Sequence, residues 1–206
     1  MRVLYLSALI VLVDQATKLA VKGIEFPLLG LSFRGMPYGA SKPILGTFLR
    51  FTYIENPGMA FGIDPGAKLF FSIFSLAAGF LIFFYLWYAR DERIGFRLGL
   101  ALILGGAMGN LIDRVFYGVL FHDAPLFYGR VVDFLDVDFF DFNGLGIHIT
   151  RWPVFNIADA AVCVGIVVLF LFHKPKRPRE SVSLAAPDPG PPSVSAERPE
   201  AGTPHS

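Results

Sequence analysis

Asp159 stands inside a run of nineteen residues, Val154 to Phe172, that carries no other charge. Such a run is long enough to cross a bilayer. An ionisable group inside it is costly to keep there unless it meets a partner and has a task. Asp14, Asp113 and Asp133 lie at or near the ends of other apolar segments and are the available partners. Two carboxylates held close in a partly dry site cannot both ionise comfortably, so one keeps a proton while the other stays charged. The charged one takes a proton from water, and the neutral one gives a proton to the carbonyl of a scissile amide. That is aspartic-protease chemistry, which needs no metal, no cofactor and no covalent intermediate. Spacing alone does not choose the pair. Asp136, Asp138 and Asp141 lie near Asp133 and read as solvated, outward-facing strand residues. His122, His148 and His173 have no metal-ligand spacing, and a metal on the Asp-rich strand is a weak reading.

The elements that must position these groups read as an α-helical integral membrane protein. The chain is 54% hydrophobic and 17% charged, with mean hydropathy +0.55, whereas soluble domains carry about 25% charged residues. A net charge of +1 gives no support for nucleic-acid binding. The single cysteine, Cys163, excludes an intramolecular disulfide and reads as a packing residue. Four transmembrane helices are expected at about 3–21, 68–89, 97–113 and 154–173. The first is not read as a cleavable signal peptide, because no small-residue cleavage site follows and Asp14, Gln15 and Lys18 continue a helical pattern.

Arg90, Arg93 and Arg97 in the short second loop, and Lys174, Lys176, Arg177 and Arg179 after the last span, place those segments and both termini in the cytoplasm. The two long connections then face the other side. Phe48–Glu55 and Val131–Phe142 within them alternate in part and predict a small extracytoplasmic β element, the first strand ending in the turn Asn56-Pro57-Gly58. Residues 1–173 thus form one membrane domain. Residues 174–206, with eight of the 15 prolines and no aromatic residue, are expected to be a disordered cytoplasmic tail.

On this topology the polar groups fall at one depth, just inside the extracytoplasmic surface. Hydrocarbon penalises each alone, so they should face one another. Asn110 and Asp113 are i, i+3 with Arg114 at i+4, and Asn156 and Asp159 are i, i+3, so each set shares a helix face. Asp14 and Lys18, at i, i+4, form a helix-end ion pair or brace the site. Asp113 with Arg114 could equally be an interfacial anchor. Gly105 and Gly109 form a small-xxx-small surface for close helix packing.

These residues, taken together, resemble the bacterial lipoprotein signal peptidases (signal peptidase II). The matching blocks occur in that family's order: Asp14-Gln15 with Lys18, Asn56 to Gly62, Gly109 to Arg114, Val131 to Phe134 and Phe155 to Asp159. The resemblance covers roughly residues 3–173. It implies a membrane aspartic endopeptidase that removes signal peptides from diacylglyceryl-modified prolipoproteins, cutting before the lipidated cysteine. It implies Asp133 and Asp159 as the catalytic pair. It also implies Asp14, Lys18, Asn56, Gly58, Asn110, Asp113, Arg114 and Asn156 as residues that line or brace the site, with Arg114 toward the substrate. Membrane lipid and the prolipoprotein are the implied partners, a monomer in the bacterial inner membrane is expected, and the antibiotic globomycin is the expected ligand of the substrate site.

The chain departs from the family pattern around 23–46 and 115–130, which look longer, and in the Pro-rich tail. A proton-coupled transporter would spread its polar groups over several depths and often shows an inverted repeat; this chain does neither. A non-catalytic lipopeptide-binding relative would be expected to lack Asp133 or Asp159.

Overall fold

The computed structural model describes residues 2–26, 30–58, 66–138, 142–144, 147–149 and 152–173. The expected tail, Asp141, and residues 59–62 of the Asn56–Gly62 block lie outside the described residues. Helix α1 (Leu4–Lys22) runs into a hairpin of β1 (Gly23–Phe26) and β2 (Leu31–Arg34). Strands β3 (Ser41–Leu45) and β4 (Leu49–Asn56) follow, then α2 (Gly66–Tyr88) and α3 (Ile94–Ile112). A π-helical turn (Asp113–Tyr117) and the single turn α4 (Gly118–Leu120) extend α3. Strands β5 (Val131–Val137), β6 (Phe142–Gly144) and β7 (Ile147–Ile149) precede α5 (Ile157–Phe172).

Three helical stretches, Leu4–Lys22, Lys68–Asp91 and Ile94–Leu120, are long and apolar enough to cross a membrane, and Ile157–Phe172 is a shorter apolar helix. Helix α3 packs against α1, α2 and α5. The outward faces are apolar: Leu9, Leu12, Phe80, Phe84, Trp87, Phe170 and Leu171 are all exposed. This inverts the soluble pattern, because lipid tails reward apolar exposure and leave helix association to close packing and interhelical hydrogen bonds. Small residues provide the packing. A Cβ on Gly165 would come 2.8 Å from the Gly99 carbonyl, and one on Gly105 would come 2.9 Å from Ile10. Ser7 Oγ adds a buried hydrogen bond of 2.7 Å to the Ala101 carbonyl.

The sheet at one end of the bundle has the order β3-β4-β5, both pairs antiparallel. Its register places Ile54 opposite Asp133 and Asn56 opposite Val131, after an irregularity between Phe51 and Ile54. Beyond β5, Phe155 pairs with Leu135 through hydrogen bonds of 2.7 and 3.0 Å. This bridge sets the start of α5 beside β5. It also accounts for a difference from the alternating pattern. Flanked by β4 and Phe155, β5 is buried along nearly its whole length, as interior strands are. Asp136 is therefore buried, 5% exposed, and accepts a hydrogen bond from Thr52, rather than facing solvent. The β1–β2 hairpin and β3 were not foreseen from alternation; their residues are mostly exposed and carry no two-residue hydrophobic period.

A Cβ on Gly106 would collide with the Ala158 carbonyl and come 2.7 Å from Val162, whereas one on Gly79 would meet only Met108 Sδ at 3.4 Å. Gly106→Ala should therefore force α3 from α5 and cost about 1–3 kcal/mol. Gly79→Ala should be near neutral. Thermal melts of both variants in detergent check this.

Candidate active site

Lys18 lies at the buried base of the site. Its side chain is 0% exposed, with Nζ 2.8 Å from Asp14, 2.9 Å from Asp113 and 2.9 Å from Asn110 Oδ1. Both carboxylates are also fully buried. Their remaining lone pairs are filled. Asp14 accepts the Ala158 amide at 3.0 Å, and Asp113 accepts the Val132 amide at 3.1 Å. Gln15 donates to Asp113 at 2.8 Å and to the Gly109 carbonyl at 3.1 Å, and its own oxygen accepts from Tyr117 Oη. One cation thereby joins α1 to α3, and the two carboxylates carry the tie on to α5 and β5. A buried pair contributes only when such extra hydrogen bonds complete it.

Asn110 and Asn156 stand above this layer and carry the tie to the next one. Asn156 caps α5. Its Oδ1 accepts the Asp159 amide at 3.0 Å, and Asp159 accepts the Asn156 amide in return, a complete capping box. Asn156 Nδ2 donates to Asp133 at 2.6 Å and to Asn110 Oδ1 at 3.1 Å. Asn110 Nδ2 donates to Asp159 at 2.8 Å. The two amides thus join Asp133 and Asp159 in one hydrogen-bonded chain, Asp133–Asn156–Asn110–Asp159. Asn56 adds a side-chain hydrogen bond to Asp133. Its own Oδ1 accepts the Gly58 amide at 2.8 Å, which shapes the turn. Gly58 has φ +84°, a backbone conformation that favours glycine, and it lies against the Arg114 guanidinium.

Asp133 is 2% exposed. Burial, and next the charge of Asp159, push its carboxyl up to about 7, against the hydrogen bonds from Asn156 and Asn56 and the charge of Lys18. Asp133 thus holds its proton to a higher pH than an ordinary carboxyl does. Arg114 lies within electrostatic reach of Asp113, Asp133 and Asp159. Its Nε is buried without a hydrogen-bond partner among the described residues. Its guanidinium lies 6.0 Å from the Phe71 ring centroid, which directs a cation with unused donor capacity toward the aspartates.

The expected residues all converge here, in three tiers. Asp14, Lys18 and Asp113 are the buried base; Asn110 and Asn156 form the middle with Asp133 and Asp159; Asn56, Gly58 and Arg114 form the rim. Asp113 makes its ion pair with Lys18, while Arg114 stays within electrostatic reach of Asp113 and of both other aspartates. Asp113 turns to Lys18 and Arg114 to the aspartates. The π-helical turn that begins at Asp113 changes the angular step between residues, so simple i, i+1 geometry does not apply. Gln15 and Tyr117 belong to the base and were not singled out as site residues; a glutamine directly after an aspartate within an apolar helix was the available signal. No cluster of metal ligands occurs among the described residues.

A profile of the signal peptidase II family matches residues 6–173. The lipoprotein signal peptidase of Syntrophotalea carbinolica is 37% identical over 172 residues, covering 82% of this chain and 88% of that protein. That of Halalkalibacterium halodurans is 38% identical over 169 residues, covering 81% and 88%. A bacterial membrane enzyme solved by the in meso method at 1.9 Å superposes with TM-score 0.62 at 26% identity, covering 82% of this chain and 90% of that one.

Lys18→Met leaves two buried carboxylates without a counter-charge and should destabilise by about 3–5 kcal/mol. A chemical-denaturation or thermal curve in detergent measures it, and adding Asp14→Asn with Asp113→Asn should recover a large part of the loss. A second expectation concerns pH. Asp133 titrates higher folded, about 7, than at its ordinary 3.8. Its contribution to stability is therefore complete below the ordinary value and is lost as pH rises through the folded one. Melting curves from about pH 4 to about pH 8 should show that loss in the wild type and lack this component in Asp133→Asn.

Proposed function

The chain belongs to the signal peptidase II family, membrane aspartic peptidases that remove signal peptides from prolipoproteins, and we propose that Asp133 and Asp159 are its catalytic pair. The observation that carries this assignment is the hydrogen-bonded chain Asp133–Asn156–Asn110–Asp159, with the Asp133 carboxyl raised to about 7. In this reading Asp159 takes a proton from the attacking water while Asp133 gives its proton to the amide carbonyl. The tetrahedral intermediate then collapses, with a proton passing to the leaving nitrogen. Asn110 and Asn156 orient both carboxylates, Lys18 with Asp14 and Asp113 braces them from below, and Arg114 binds the substrate backbone or lipid head group near the scissile bond.

The bond cut is the one before a diacylglyceryl-modified cysteine. The four apolar helices span the bacterial inner membrane, with both termini in the cytoplasm and the sheet on the extracytoplasmic side. The arginines at 90, 93 and 97 support that orientation. A lipid-anchored substrate presents its cleavage bond at the depth of the aspartates, so no extraction from the bilayer is required. The protein acts as a monomer, with membrane lipid around its helices.

The test is a processing assay with purified protein in detergent, comparing a diacylglyceryl-modified prolipoprotein with its unmodified form by gel shift. Only the lipidated form should be cut, and Asp133→Asn and Asp159→Asn should each be inert while still folded. Cleavage by either variant would remove it from the pair. Because the reactive pair holds one proton, wild-type turnover should fall as pH rises through about 7; a rate flat through that range would contradict the role given to Asp133.

A further inference from the structure

A second cluster of charges sits on β4, on the side of the strand away from the aspartates. Glu55 receives the Lys22 ammonium from the end of α1, the Tyr53 hydroxyl at 2.6 Å, and the Arg130 guanidinium at 3.5 Å. Lys22 is also 3.7 Å from Asp123 and 4.3 Å from the centroid of the Phe121 ring. The end of α1, strand β4 and the segment before β5 therefore meet at a single carboxylate. Burial opposes charge on Glu55, but the hydrogen bonds from Lys22 and Tyr53, with the charges of Lys22 and Arg130, hold it below the ordinary carboxylate range. Tyr53, raised by burial and by Glu55, remains a neutral donor. The Glu55 and Lys22 side chains are only 9% and 11% exposed, so this pair is not a screened surface contact.

Its position along β4 matters more than its charge. Asn56 is the next residue and therefore points to the opposite face of the strand, where it reaches Asp133. Asn56 is also the last residue of β4 to pair with β5, opposite Val131. Strand ends fray when nothing fixes them. Glu55 is the last side chain before that end with a firm grip on other elements.

Resting on the catalytic assignment above, we infer that Glu55 is a positioning residue for the reaction: its grip on Lys22, Tyr53 and Arg130 fixes the end of β4 and so holds Asn56 against Asp133. The 121–130 segment is a strap for the active site through the same carboxylate, rather than a passive surface loop.

The experiment compares full-length wild type with Glu55→Ala, Lys22→Met, Asn56→Ala and the Glu55→Ala/Asn56→Ala double variant, using the lipidated prolipoprotein and reading kcat, KM and the pH–rate profile. Asp133→Asn runs as the control on the catalytic assignment. Glu55→Ala should lower kcat about tenfold with little change in KM, and Lys22→Met should act in the same direction. Loss of the Asn56 hydrogen bond should move the high-pH limb upward in Glu55→Ala as in Asn56→Ala. Once Asn56 is gone, removing Glu55 should change kcat less than about twofold. If the two losses multiply, or if Glu55→Ala lowers the melting temperature without moving kcat or the limb, the inference is wrong. Should Glu55→Ala not fold, Lys22→Met and Glu55→Gln carry the same comparison against Asn56→Ala. An active Asp133→Asn would instead overturn the catalytic assignment beneath it.

Discussion

The ammonium of Lys18 is the interaction on which the rest of the site depends. It is buried completely between two carboxylates, and those carboxylates reach the backbone amides of Ala158 and Val132. Those two amides belong to α5 and β5, the elements that carry Asp159 and Asp133. The lysine pairs with Asp14 and Asp113 rather than with Asp133 or Asp159, but it sets the height of both elements that carry them. In a medium of low dielectric, each of the three charges alone would be prohibitive, and together with Gln15 and Tyr117 they form a satisfied unit. The stacking of Asn110 on Lys18 and of Asn156 on Asn110 then passes this fixed geometry upward to the aspartates.

The second constraint is the π-helical turn after α3. A widened turn frees backbone carbonyls that an α-helix would use, and the following segment takes them up: Gly129 donates to the Arg114 carbonyl and Phe127 to that of Val115. The long connection before β5 is thereby sewn back onto the helix that carries Asn110, Asp113 and Arg114. A Cβ at Gly129 would collide with the Asp113 carbonyl, so the chain returns here in direct backbone contact. The connection at 115–130 is built into the scaffold of the site.

Much of this was legible in the residues, for physical reasons that differ by element. Apolar runs of span length announce helices because hydrocarbon admits little else. Polar residues at their ends announce a site because hydrocarbon penalises them unpartnered, and Asp159, Asn156, Asn110, Asp113, Lys18 and Asp14 all met partners. Strands β4 and β5 were visible as alternation, but the burial of Asp136 was not. It depends on the bridge from Phe155 to Leu135, a pairing between residues twenty positions apart in the chain. The placing of Tyr117 against Gln15 likewise depends on the π-turn, which leaves no periodic mark in the sequence. The Lys22–Glu55 pairing joins residues 33 positions apart, and no local pattern announces it.

The capping box of α5 has a consequence for biosynthesis. Asp159 occupies the third position of the last described helix, and Asn156, which orients Asp133, is the cap of that same helix. A chain emerging from the ribosome reaches Asp133 well before Asp159, and synthesis proceeds from the N-terminus. Until α5 has wound and seated against α3, Asp133 lacks its amide donor Asn156, and Asn110 lacks Asp159. The arrangement around Asp133 is therefore complete only once the last described helix has formed.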